Sequence, residues 1–305
     1  MILSVNPWYY CNFRCKFCYL TESQLEDTKL LPIEKLKQRL DEITKIAKID
    51  MVDLYGGEVG ILPKEYIAQL KDLLHSYGID DINIVTNLSM VNDIIKDEDF
   101  YVSVSYDFEA REKHDLVWKN MLLLERPFSI LILASPEVIK MDVDSMISTL
   151  NLISNVNSVE IKPYSPNQAN QFGVDYTDFE EFVKKWITSS QKKNFIFVNE
   201  NQIKDSITKE RNSFSDDHVY ITPSGNYGVL EFDLNDNEYF LEYETLEEYF
   251  KWCDTEKQRV SKNKFCSKCE YYGHCLSEHL REVKNLEKSC NGFKLLLDWY
   301  GRLES

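Results

Sequence analysis

The chain has 305 residues, 43% of them apolar and 28% charged, which predicts one large domain or a domain with a smaller appendage and excludes a disordered or fibrous protein. Its 35 Lys and Arg against 51 Asp and Glu leave a formal charge of −16, a field that repels phosphate polymers and suits a basic peptide or a small neutral molecule better than nucleic acid. No stretch approaches the roughly 18 uninterrupted apolar residues of a membrane span, so a membrane role is excluded too.

In chain order, short apolar runs occur at 2–5, 51–54, 82–85, 101–105, 130–133 and 159–161. Between them lie segments with helical spacing. The first, Ile33, Leu36, Leu40, Ile43 and Ala47, starts just after Pro32; others span about 63–77, 110–125, 142–154 and 178–192. Alternation of buried, non-alternating strands with helices predicts βα units and a parallel sheet. Six strands are too few for a complete eight-stranded barrel, so an α/β fold with an open, partial (β/α)6 barrel is expected. After about residue 199 the pattern changes. Val219–Ile221, the turn signal Pro223–Asn226 and the run 227–232 read as a hairpin or small antiparallel sheet. A helix near 245–253, a cysteine-rich loop at 265–275 and a last helix near 291–302 follow, giving expected domains of 1–199 and 200–305.

MILSVNPWYY lacks the basic start and long apolar run of a secretory signal, so a cytoplasmic chain is expected, with its thiols reduced. The 8 cysteines fall in two groups, Cys11, Cys15 and Cys18 at the front and Cys253, Cys266, Cys269, Cys275 and Cys290 at the back. Two clusters in a reducing compartment read as two metal sites. The front loop, CNFRCKFC, directly follows a strand, and three thiolates on a tight loop suit a soft metal or an iron–sulfur cluster. Three ligands leave one position open for an outside ligand. The alternative is a zinc loop that borrows His75 or His114.

Cys11-x3-Cys15-x2-Cys18, with Phe17 before the third cysteine, resembles the defining loop of radical S-adenosylmethionine (SAM) enzymes. Further elements resemble the family in order: Gly56, Gly57 and Glu58 its GGE motif, Thr86 and Asn87 its TN(G) element, Ser105 and Asp107 its S-x-D element, and Glu160–Pro163 its sixth strand, with Lys162 near the adenosine. The resemblance implies a [4Fe–4S] cluster on Cys11, Cys15 and Cys18, and SAM contacts from Phe17, Gly56, Gly57, Glu58, Thr86, Asn87, Ser105, Asp107 and Lys162. All lie where parallel α/β architectures place active sites, at the carboxyl ends of strands. Leu88 stands where glycine is usual, a small departure if Asn87 itself adopts positive φ. His114-Asp115 lacks the arginine that commonly follows.

Spacing alone makes Cys266-x2-Cys269-x5-Cys275 with Cys290 a candidate zinc site. Beside the front motif it resembles the SPASM extension of radical SAM enzymes, which implies a second, auxiliary [4Fe–4S] cluster on these four residues. Val229 and Leu230 occupy the place of the first auxiliary cysteine, so one auxiliary cluster is expected rather than two. Cys253 is left over: a buried cysteine, a ligand in place of Cys290, or a catalytic hydrogen-atom donor. The activity implied is reductive cleavage of SAM to a 5′-deoxyadenosyl radical and hydrogen abstraction from a ribosomally made peptide, giving a crosslink, thioether or epimer. A small molecule or a partner protein's side chain is the alternative substrate, and a zinc-binding adaptor the non-enzymatic one. Implied partners are an electron donor such as flavodoxin or ferredoxin and a separate peptide-recognition protein. The aromatic-acidic text at 233–243 reads as a solvated hairpin or as an edge that adds a peptide strand.

Overall fold

The computed structural model describes residues 1–164, 167–170, 172–214, 216–229, 241–276, 290 and 293–303. Its strands are β1 (Ile2–Val5), β2 (Met51–Leu54), β3 (Ile82–Thr86), β4 (Phe100–Ser105), β5 (Phe128–Ala134), β6 (Val156–Pro163), β7 (Ile196–Phe197), β8 (His218–Ile221), β9 (Tyr227–Val229) and β10 (Leu241–Tyr243). The helices are α1 (Glu22–Leu25), α2 (Ile33–Ile43), α3 (Lys64–Ser76), α4 (Asp93–Lys96), α5 (His114–Leu122), α6 (Val143–Leu150), α7 (Tyr176–Thr188), α8 (Val198–Thr208), α9 (Leu246–Lys262) and α10 (Lys294–Leu303). Position 230 and most of the aromatic-acidic stretch lie outside the described residues.

All ten strands form one sheet, in the order β10-β9-β8-β1-β2-β3-β4-β5-β6-β7. Its ends, β7 and β10, are not paired with each other, so the barrel is partial, as expected. Two differences from the sequence reading stand out. The two-residue β7 adds a parallel strand beyond β6, too short for an apolar run to reveal it. And β8 lies parallel to β1, with Leu3 opposite Val219, so the hairpin β8–β9 extends the main sheet instead of forming one of its own. The expected boundary at 199/200 falls inside α8.

The strands also alternate, contrary to the reading of continuous burial. Val52 and Leu54, Ile82 and Ile84, and Ile130 and Ile132 are all fully buried. The opposite face carries Ser4, Asp53, Asn83, Ser103, Ser129, Ser158 and Glu160. Asn83 Nδ2 donates to Asp53 Oδ1 at 2.8 Å, and Ser103 Oγ donates to Asn83 Oδ1 at 3.0 Å. Asp53, on β2, feels the charges of Glu160 and Lys162 on β6, four strands away in the sheet. The polar face is therefore concave. Such a cleft admits polar ligands, so its lining cannot be an apolar run.

The helices follow their apolar stripes. On α2, Leu36, Leu40 and Ile43 are fully buried, and the helix starts after Pro32, whose fixed φ suits that position. On α9 a capping box joins Thr245 and Glu248. The last helix, α10, closes on the barrel helices: Tyr300 OH donates to Glu200 Oε1 at 2.7 Å, and Phe293 packs edge-on to Tyr176 at 5.0 Å.

Candidate active site

The cysteine loop leaves β1 and is pinned against the end of β2. Gly57 N–H donates to Trp8 O at 3.1 Å, Glu58 N–H to Tyr10 O at 2.8 Å, and Trp8 Nε1 returns a bond to Glu58 O at 2.9 Å. Such close approach explains both glycines. Gly56 has φ +127°, and a Cβ on Gly57 would lie 2.1 Å from the Tyr10 carbonyl oxygen. The space beside Gly57 is thus filled by loop backbone.

Cys11, Cys15 and Cys18 are each partly buried, and the thiols sense one another electrostatically. Burial pushes Cys11 up to about 11 and Cys18 up to about 12, and raises Cys15 as well. Thiols in this state are held neutral until a metal compensates the loss of water, which is the chemistry of a buried metal-ligand set. Among the described residues no group of three His, Cys, Asp or Glu side chains closes on a single ion. A cubane makes no such demand, because each thiolate binds a different iron. Donors already face the sulfurs: Phe13 N–H at 3.5 Å and Asn87 Nδ2 at 3.6 Å from Cys11, and Arg111 Nη1 at 3.7 Å from Cys15. Soft, buried and hydrogen-bonded, the set fits an iron–sulfur cluster.

Glu58, almost fully buried, braces the site. Its Oε1 accepts from Gly60 N–H at 2.7 Å and Thr86 Oγ1 at 2.5 Å, and its Oε2 from Asn87 N–H at 2.6 Å. Three of about four lone-pair positions are used, leaving room for one further donor. Burial raises its pKa, opposed by these bonds. Asn87 in turn hooks the cysteine loop through Asn12 Oδ1 at 3.0 Å. The left-handed conformation falls on Leu88 itself, φ +50°, and not on Asn87; its carbonyl is held by Asn120 Nδ2 at 2.8 Å.

Ser105 sits half-buried at the end of β4, on the same face as Ser103. Asp107 is fully buried and turned into the chain: Oδ1 accepts from Leu133 N–H at 2.5 Å, and Oδ2 pairs with Arg111 at 2.7 Å. Arg111, which the sequence reading passed over, also lies 5.4 Å from the centre of the Phe17 ring. Its signal was the Asp107-x3-Arg111 spacing, four residues apart. Lys162 pairs with Glu160 at 2.8 Å, across the cleft from Asp53.

At the back, Cys266 and Cys269 both sense Cys290, and burial pushes Cys266 up to about 11. Cys275 lies in the same segment, its carbonyl accepting from Arg211 Nε at 3.2 Å. Cys253 stands elsewhere, 2% exposed in the main core, with Tyr249, Asp216 and Lys257 as neighbours and burial pushing it up to about 12.

The sequence model of the Radical SAM superfamily matches residues 5–118, which span the cysteine loop, Glu58, Asn87 and Arg111. This front part of the chain is a radical SAM domain. No curated protein matches it in sequence. Among solved structures, anSMEcpe with bound AdoMet is similar with a TM-score of 0.72 at 15% identity, covering 99% of this chain and 98% of that one. SuiB of Streptococcus suis bound to S-adenosylmethionine has a TM-score of 0.66 at 16% identity, over 95% of this chain and 76% of its own. SuiB bound to its precursor peptide SuiA gives 0.64 at 18% identity, over 95% and 74%. At these identities the likeness is one of fold.

Proposed function

We propose that this radical SAM enzyme modifies a ribosomally made peptide, using one cluster on Cys11, Cys15 and Cys18 and a second, auxiliary cluster on Cys266, Cys269, Cys275 and Cys290 in a SPASM-like extension, residues 200–305. The observation that carries the reading is the convergence of three half-buried thiols beside the carboxyl ends of β2, β3 and β4, with Glu58, Asn87 and Arg111 around them. When bound, a cluster with SAM supplies a 5′-deoxyadenosyl radical by one-electron cleavage of the sulfonium.

The chain's own task is to hold and shield. Glu58 and Asn87 fix the loop, and the one open lone pair of Glu58 suits an ammonium donor. Ser105 and Lys162 line the same mouth and would orient the cofactor's polar parts. The hydroxyl- and amide-bearing cleft face positions a polar substrate. Two observations support a peptide: the charge of −16, which attracts basic segments, and the fold shared with SuiB, solved with its precursor peptide. An electron donor such as flavodoxin or ferredoxin would reduce the cluster, and a separate recognition protein would deliver the peptide. Cys253, buried against Tyr249, fits a core residue better than a hydrogen-atom donor.

The test is anaerobic reconstitution followed by metal analysis and SAM cleavage. Two cubanes give about eight irons per chain and a brown solution. Cys15→Ala is expected to abolish 5′-deoxyadenosine release while Cys253→Ala retains it. A colourless zinc protein, or unchanged release by Cys15→Ala, refutes the proposal.

A further inference from the structure

We propose that the buried Asp107–Arg111 pair acts as a fixed dipole that sets the reduction potential of the cluster on Cys11, Cys15 and Cys18, with Arg111 a positioning residue whose positive end faces the Cys15 sulfur. The inference rests on the radical SAM reading above and adds a residue to which no element of that reading assigns a role.

The geometry is directional. Arg111 Nη1 stands 3.7 Å from Cys15 Sγ, while Asp107 sits behind the guanidinium, 2.8 Å from Nε and 2.7 Å from Nη2. The positive charge is therefore nearer the sulfur than the negative one. Both side chains are withdrawn from water, Arg111 10% exposed and Asp107 0%, so solvent screens neither. Phe17 covers the guanidinium at 5.4 Å and keeps it from swinging out. Leu133 N–H holds the other Asp107 oxygen at 2.5 Å, so the negative end cannot turn either.

Other charges near the loop are placed differently. Arg14 is exposed and spends Nη1 on the Cys11 and Phe13 carbonyls at 2.6 and 3.0 Å. Lys113 lies over the Phe13 ring at 4.8 Å, with its side chain 48% exposed. Glu112 is one-third exposed and bonds the Arg14 backbone N–H. Water screens these, whereas the Asp107–Arg111 pair acts at full strength.

One-electron reduction adds a negative charge to an iron–sulfur cluster, and hydrogen bonds and charges at its sulfurs are among the protein's levers on its potential. A positive end at Cys15 favours the reduced form. The carboxylate behind it moderates that preference. Removing the two partners should therefore move the potential in opposite senses, which a purely structural ion pair would not do.

The test titrates the anaerobically reconstituted full chain with dithionite and mediators, without SAM, reading the electron paramagnetic resonance signal that Cys15→Ala removes. Arg111→Gln is expected to lower the reduced-to-oxidised ratio at fixed potential at least tenfold, about 59 mV for one electron. Asp107→Asn is expected to raise it by a similar factor, and Arg111→Lys to stay within threefold of wild type. Where Arg111→Gln fails to fold, the other two variants carry the test. Shifts below twofold in Asp107→Asn, or shifts of one sign in both partners, overturn the dipole. A wild-type chain that assembles no cluster refutes the parent reading instead, and the two failures are told apart by iron content.

Discussion

Replacing Gly57 with Ala tests the packing that joins the cysteine loop to the sheet. A Cβ there meets the Tyr10 carbonyl oxygen at 2.1 Å and the Tyr9 carbonyl group at 2.6 Å, all backbone, so no side chain can swing aside. Overpacking of this kind costs about 1–3 kcal/mol. The loop can yield only by lengthening the bonds from Gly57 N–H to Trp8 O and from Glu58 N–H to Tyr10 O, worth about 1 kcal/mol each. The expected loss is thus about 3–5 kcal/mol, taken from the contact that presents the three thiols. Gly78→Ala is the control: φ there is +70° but nothing lies within 4 Å of a Cβ, so only backbone strain of about 1–2 kcal/mol is expected. Urea unfolding followed by circular dichroism, paired with iron analysis after reconstitution, reads both quantities. Should Gly57→Ala unfold no earlier than Gly78→Ala and bind iron at the wild-type level, the account of the GGE segment as a packing contact fails.

Glu58→Gln presents an amide to at least one of the backbone N–H donors that now meet a carboxylate, so a loss of about 1–3 kcal/mol in urea melts is expected, together with weaker iron retention. Wild-type stability in that variant refutes the bracing role. Glu180, buried on α7, has its pKa raised from 4.5 to about 7 by desolvation. The folded state then holds a proton that the unfolded chain releases above about pH 4.5, so stability falls as pH rises through 7. At about 1.36 kcal/mol per unit the loss reaches at most about 3 kcal/mol. Wild type should lose that stability relative to Glu180→Gln between pH 4.5 and 8, and parallel stability-versus-pH curves would contradict it.

The six parallel strands were legible because each ends a short apolar run, and β1 and β2 fall where those runs do. What the apolar count hid was the alternation. Asp53, Asn83 and Glu160 interrupt their runs because one face of each strand lines a polar cleft. β7 was invisible for its length, and the pairing of β8 with β1 for the 200 and more residues separating them. Near the thiols, residue identity was readable while contact geometry was not. Sequence placed Asp107 toward the cofactor, whereas the structure turns it toward Arg111. The spacing of four between those two was present in the sequence throughout.

The place of β8 bears on how the chain matures. β1, which launches the thiol-bearing loop, is flanked by β2 on one side and by β8 on the other. During synthesis the second flank does not exist until Ile221 has left the ribosome. Until then the nascent chain carries Cys11, Cys15 and Cys18 just beyond a strand with one bare edge, exposed to aberrant pairing. On the proposed reading, a cluster loaded after β8 has formed meets a loop whose launching strand is already flanked on both sides.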